Sequence, residues 1–182
     1  MSMSSSPSSP NKRIEHCTDI FVQNGEDGLK SVWNAIVDID DWKWNKWTRL
    51  EASKVVEGIQ GKLHASYEGN DKFETFDFTF AEVNHEDHIL SWTGSLGPGG
   101  CLFRGYHSMK LELISTDASD ESKNKMQHSD LKTNMQTIRL THTEEFSGML
   151  PFLRIGLPYK ILNRNYRLMN ESLKDFVESR NG

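Results

Sequence analysis

Three side chains carry the chemistry this sequence can be read for: His107, His142 and Glu144. His142 and Glu144 lie in the run Thr137-Ile-Arg-Leu-Thr-His-Thr-Glu-Glu-Phe-Ser-Gly148, in phase with Ile138, Leu140 and Phe146. Residues two apart in a strand share a face, so an inward apolar set carries the histidine and the glutamate inward with it. His107 holds the same kind of position in another run, facing with Met109, Leu111 and Leu113. Two imidazoles and a carboxylate among apolar side chains must find partners, because an unpaired buried polar group is costly. Three uses fit. The groups can satisfy one another, hold the polar head of a ligand (a hydroxyl, carbonyl or phenol), or exchange protons with an enolisable carbonyl. The last use needs a carboxyl pKa raised by burial beside imidazoles titrating near neutrality. The same residue types make mononuclear metal centres. On separate strands they show no ligand spacing, and no metal or other cofactor is expected.

These residues need a sheet to align them and something to cover it. The cover is a long amphipathic helix, in which Ile155, Tyr159, Leu162, Tyr166, Met169, Leu173 and Phe176 recur at alternating spacings of four and three. That is one apolar stripe. From Pro158 to Ser179 the helix reaches roughly 33 Å, enough to cross a small domain. The sheet comes from strand-like runs at about 13–22, 48–56, 61–68, 72–84, 87–95, 102–114 and 137–148. The clearest alternation sets Phe76, Phe78 and Phe80 against Thr75, Asp77 and Thr79. Between the first two runs, Leu29, Val32, Trp33, Ile36 and Val37 follow helical spacing, with Asn24 placed to cap and Asp27 to support the cap. Trp42, Trp44 and Trp47 follow; they either rim a cavity, where rings stack on a flat ligand, or plug the open end of the sheet.

The joins are short and hairpin-like, except for the polar stretch 115–134, expected to be a flexible insertion. Residues 1–12 form a Ser/Pro-rich tail expected to be disordered, and 13–180 a single domain. The order is strand, two helices, six strands, long helix, which predicts an α+β fold with an antiparallel sheet.

A chain of 182 residues with 36% hydrophobic content and a net charge of −5 is an ordinary globular composition. Its mild acidity argues against nucleic acid as the main partner. Cys17 and Cys101 are too few for a disulfide framework. Residues 1–25 contain no apolar signal core, and no run approaches a membrane span, so a cytoplasmic location is expected. There is no Gly-x-Ser-x-Gly elbow, phosphate loop or dinucleotide fingerprint. No motif bears on self-association.

The element order and three stretches resemble the SRPBCC superfamily, whose helix-grip fold is shared by START lipid-transfer domains, birch-pollen-type allergens and bacterial polyketide cyclases. Val32-Trp-Asn-Ala-Ile-Val-Asp-Ile-Asp-Asp-Trp-Lys-Trp-Asn45 is similar to that group's first helix and Trp-Asn-Pro-Phe turn, with Lys46 for the proline and Trp47 for the last aromatic. Phe103-Arg-Gly-Tyr-His107 resembles the Gly-x-His strand of the polyketide cyclase/dehydrase-like branch. Thr137 to Leu150 resembles that branch's Thr-Arg-Leu-Thr-His-x-Glu-x-Phe-Ser-Gly strand with Ile138 inserted, and Met169-Asn-Glu-Ser-Leu-Lys174 its terminal helix. The His-Arg-Leu latch of hormone receptors with this fold is missing after Gly100.

The resemblance implies a curved seven-stranded antiparallel sheet, two short helices and a long C-terminal helix enclosing a cavity for apolar or aromatic molecules. The expected function is binding or carriage of a hydrophobic, lipid- or polyketide-like small molecule. Phe76, Phe78, Trp92, Met109, Tyr166 and Met169 would supply walls, and His107, His142 and Glu144 a polar anchor. The alternative is a cyclase, dehydratase or hydrolase using the same trio. Residues 149–158, apolar with Gly and Pro, suit a movable lid or a transient membrane contact.

Overall fold

Alternation and turn chemistry build one sheet with one long helix across it. The computed structural model describes residues 12–114, 135–153 and 156–180. The strands are β1 (Lys12–Gln23), β2 (Thr48–Ala52), β3 (Gln60–Ala65), β4 (Glu74–Asn84), β5 (Ile89–Leu96), β6 (Phe103–Ile114) and β7 (Met135–Ser147). The helices are α1 (Gly25–Val37), a 3-10 segment (Ile39–Trp44), α2 (Met149–Leu153) and α3 (Tyr159–Glu178). The strands form one antiparallel sheet in the order β1-β7-β6-β5-β4-β3-β2. A register shift between Phe80 and Glu82 puts a bulge in β4, which bends the strand and curls the sheet. This is the expected α+β helix-grip architecture. The tail as far as residue 11, the 115–134 stretch and Ile155 lie outside the described residues.

The sheet's inner face and the helices bury two apolar clusters. The larger gathers Ile20, Val32, Trp33, Ile36, Phe78, Phe80, Leu90, Trp92, Met109, Leu140 and Leu173; the smaller is Ile14, Phe146, Tyr166 and Met169. Trp42 and Trp44 are buried in the larger cluster and donate their indole N–H groups to the carbonyls of Ile36 and Ala35. Trp44 plugs the sheet end, while Trp42, packed against it, also lines a hollow around the 3-10 segment. Trp47 is half-buried, because the Asn45 side chain accepts from both Trp47 and Thr48 N–H and turns the chain into β2.

Three local expectations are corrected. Asn24 does not cap α1 with its side chain. It is the single residue between β1 and α1, and the sharp reversal puts it in the left-handed region (φ 52°). Caps adopt extended backbone instead, with the side-chain oxygen reaching the next N–H groups. β2 stops at Ala52 rather than continuing to 56, and the chain then reverses through Gly58 (φ 80°). β3 stops at Ala65, because the next side chain, Ser66, closes a tight loop onto Asn70.

Candidate functional site

Strand register assembles the site. Trp92 on β5 pairs with His107 on β6, and His107 pairs with Glu144 on β7, so three inward side chains lie in one row. One rung along, Met109 pairs with His142, and His142 with His16 on β1. His107 therefore meets both Glu144 beside it and His142 diagonally, as cross-strand neighbours do.

The contacts form a continuous buried chain. His107 Nδ1 lies 2.5 Å from Glu144 Oε2, and His107 Nε2 lies 2.7 Å from His142 Nε2. His142 Nδ1 is 2.7 Å from Asn170 Oδ1 on α3. The Tyr166 hydroxyl, also on α3, donates to Glu144 Oε2 at 3.2 Å. Trp92 stacks on the His107 ring, with centroids 3.9 Å apart and planes within 16°, and so fixes its orientation. The remaining carboxylate oxygen, Oε1, lies against the bare Cα of Gly105, where a Cβ would be 2.6 Å away. That close approach explains why β6 carries glycine there.

Burial sets the protonation. It lowers His107 to about 3 and holds His142 well below the ordinary imidazole value. It raises Glu144 to about 8, against a small opposing pull from the Tyr166 hydrogen bond. Burial, reinforced by the Glu144 charge, also holds Tyr166 well above the usual phenol range. A neutral carboxyl beside two neutral imidazoles follows, which removes most of the cost of placing them inside.

A cavity of about 370 Å³ opens beside this chain, between the sheet and α3. That lies within the usual range for small-molecule sites, roughly 300–1,000 Å³. Phe76, Phe78, Trp92, His107, Glu144 and Tyr166 are on its wall. Met109 and Met169 are not; each is fully buried, one in each apolar cluster. His142 also stands off the wall, behind His107, and so belongs to the buried chain rather than to the surface a guest would touch. The wall further includes Phe146, inward by strand phase, Trp47, one of the tryptophans that could rim a cavity, and Leu162 of the helix stripe, together with Phe103, Gly105 and Leu157, which sequence pattern did not single out. Asn170 was also missed. Its signal was a polar residue inside the helix stripe, directly after Met169.

A wider hollow of about 790 Å³ lies around the 3-10 segment, β2 and β3, lined by Asp40, Lys43, Lys46, Arg49, Glu51 and His64 among others. Its charged walls are mostly solvated, and it is separate from the buried chain. Chemistry therefore points to the smaller, apolar space. Among the described residues no group of three or more His, Cys, Asp or Glu side chains is placed to hold a metal ion.

A long helix gripped by a curled seven-stranded sheet, with a cavity between them, is the helix-grip fold. Solved structures share it over nearly the whole chain. A hypothetical protein from Helicobacter pylori is 12% identical with a TM-score of 0.61, covering 97% of this chain and 98% of its own. The Zhui aromatase/cyclase from Streptomyces sp. R1128 is 12% identical with a TM-score of 0.55, covering 93% and 95%. Norcoclaurine synthase from Thalictrum flavum, solved as a point mutant with a transition-state analogue, is 10% identical with a TM-score of 0.54, covering 97% and 100%. At these identities the likeness is one of fold. No family model matches the sequence, and no curated protein does.

Proposed function

We propose that this protein binds and carries a hydrophobic or aromatic small molecule, lipid- or polyketide-like, in the cavity between the sheet and α3. The observation that carries this reading is a largely apolar hollow of about 370 Å³ ending in buried, hydrogen-bonded Glu144, His107 and Tyr166. Apolar walls supply affinity, and a few convergent polar groups supply orientation. Helix-grip structures named as an aromatase/cyclase and a norcoclaurine synthase are consistent with such a guest. Native mass spectrometry of gently purified protein tests it. The expected result is a bound apolar compound that is released on denaturation. A bare mass, together with no quenching of tryptophan fluorescence by a panel of lipids and polycyclic aromatics, would set the reading aside.

One observation favours a second reading, an enzyme of cyclase, dehydratase or hydrolase type. Glu144, raised to about 8, stands on the cavity wall, which suits proton exchange with a bound carbonyl through the carboxyl alone. Burial keeps both imidazoles from titrating near neutrality, which that use was expected to need. The substitution Glu144→Gln separates the two. A carrier keeps its ligand, while an enzyme loses turnover by roughly 10²–10⁴-fold.

The ramp at 149–158 has a place in the carrier reading. Met149 and Leu153 are each 51% exposed, and α2 hangs from the β5–β6 turn by hydrogen bonds to the Cys101 and Leu102 carbonyls. Among the described residues no helix is long and apolar enough to cross a membrane. A transient surface contact during ligand transfer, by a protein working in the cytoplasm, is the proposed use. Flotation with neutral phosphatidylcholine vesicles, compared between wild type and Met149→Ser/Leu153→Ser, tests it.

A further inference from the structure

The buried chain has a direction, set at the end remote from the cavity. Asn170 Nδ2 reaches the His16 carbonyl at 3.4 Å and Thr18 Oγ1 at 3.2 Å. A carbonyl oxygen only accepts, so the amide nitrogen belongs on that side and Oδ1 on the side of His142. Oδ1 also only accepts, so His142 carries its hydrogen on Nδ1, across 2.7 Å. A neutral His142 then presents a bare Nε2, and His107 must donate to it from its own Nε2. That leaves His107 Nδ1 bare, and the 2.5 Å contact with Glu144 Oε2 is closed by the carboxyl hydrogen. Tyr166 spends its own hydrogen on the same Oε2. Each of these hydrogens is committed inside the chain. What remains toward the cavity is Glu144 Oε1, beside Gly105, and the lone pairs of the Tyr166 oxygen.

We propose that the polar end of the cavity is an acceptor-only site, oriented by Asn170, which selects a neutral guest bearing a hydroxyl or phenol hydrogen over one whose head is a carbonyl or ether. The proposal rests on the reading of the cavity as a small-molecule site and narrows its ligand class. Three neighbouring wall groups, among others that include the Trp47 indole N–H, have their hydrogens committed elsewhere. The Ser66 hydroxyl is given to the Asn70 carbonyl, the Thr48 hydroxyl to the Met169 sulfur, and the Asn165 amide to the Tyr67 carbonyl. Burial keeps Glu144 and both imidazoles in the neutral forms that this order of hydrogens requires. A guest that only accepts would face oxygen lone pairs without a hydrogen between, an unpaired buried contact that sites reject strongly.

Two measurements on the full chain test this. Calorimetric titration near neutral pH compares 2-naphthol with 2-naphthaldehyde and 2-methoxynaphthalene, which share one apolar body. The naphthol should bind about ten-fold tighter than either. Equal binding of the three, or preference for the aldehyde, overturns the acceptor-only site. Failure of all three to bind overturns instead the reading of the cavity as an aromatic-ligand site, and the selectivity falls with it. Nitrogen-15 NMR of the imidazoles reads the hydrogen order without any ligand: His107 should be protonated at Nε2 alone and His142 at Nδ1 alone. A hydrogen on His107 Nδ1 in the wild type overturns the proposal. In Asn170→Asp, the new carboxylate should draw a second proton onto His142 and move the His107 hydrogen to Nδ1, a change that a merely structural asparagine would not produce.

Discussion

The Nε2 atoms of His107 and His142 lie 2.7 Å apart, so a single hydrogen is shared between two rings that burial keeps neutral. Each ring is thereby a fixed donor on one side and a fixed acceptor on the other, and their protonation is tied to folding.

That tie predicts a stability maximum. Burial lowers both imidazoles below 6.5, so their contribution is complete above pH 6.5 and is lost as the pH falls and the unfolded chain takes up protons. Glu144 works in the opposite sense: raised from 4.5 to about 8, it contributes fully below 4.5 and loses that contribution as the pH rises through 8. Between 4.5 and 6.5 two histidines outweigh one glutamate, and above 6.5 only the glutamate counts. The trio's contribution should peak near pH 6.5, with limbs of about 1.4 kcal/mol per pH unit. Urea unfolding at several pH values checks this. Glu144→Gln should abolish the alkaline decline and steepen the acid limb.

Gly105→Ala should displace the Glu144 carboxyl. The new Cβ would stand 2.6 Å from Oε1, and Oε2 is held by His107 and Tyr166, so the group cannot swing aside without breaking those bonds. A loss of about 1–3 kcal/mol is expected, as for overpacked cores, together with weaker ligand binding. Denaturant titration and calorimetry report the two separately.

Wall and core residues should separate in opposite directions. Met109→Ala and Met169→Ala remove fully buried side chains away from the cavity wall, and each should cost about 2–5 kcal/mol of stability with little change in affinity. Phe76→Ala truncates a half-buried wall residue and should cost affinity more than stability. Paired melting and binding curves distinguish the classes.

Tyr166→Phe removes the hydroxyl that donates to Glu144 and should cost about 1 kcal/mol. Because that hydrogen bond lowers the Glu144 pKa, its loss should raise the pKa further. Carbon-13 NMR titration of the carboxyl reads the shift directly.

Much of this was legible in the residues themselves. Strand phase placed His107, His142 and Glu144 on one inner face, and helical spacing placed Tyr166 and Met169 on the face of α3 that covers it. Phase gives the face but not the depth. Met109 is two residues beyond His107 on the same side, yet sits where the space is filled, whereas His107 sits where it is open. Asn170 escaped because its role depends on contacts with β1 and β7, from the distant residues His16, Thr18 and His142, which no local pattern contains. Asn24 misled because cap preference assumes an extended residue, while the short β1–α1 join imposes a left-handed one.

The sheet order has a kinetic consequence. β1 pairs along its whole length with β7, and the ion pair between Arg13 and Glu145 joins residues 132 positions apart. Such pairing must close a large loop before any contact rewards it, so the last strand sets the pace of folding. On a growing chain the first strand stays unmatched until nearly everything else has been synthesised, while β6 waits with its own outer edge bare. Until β7 arrives, those two edges are the surfaces on which neighbouring nascent chains would pair with each other.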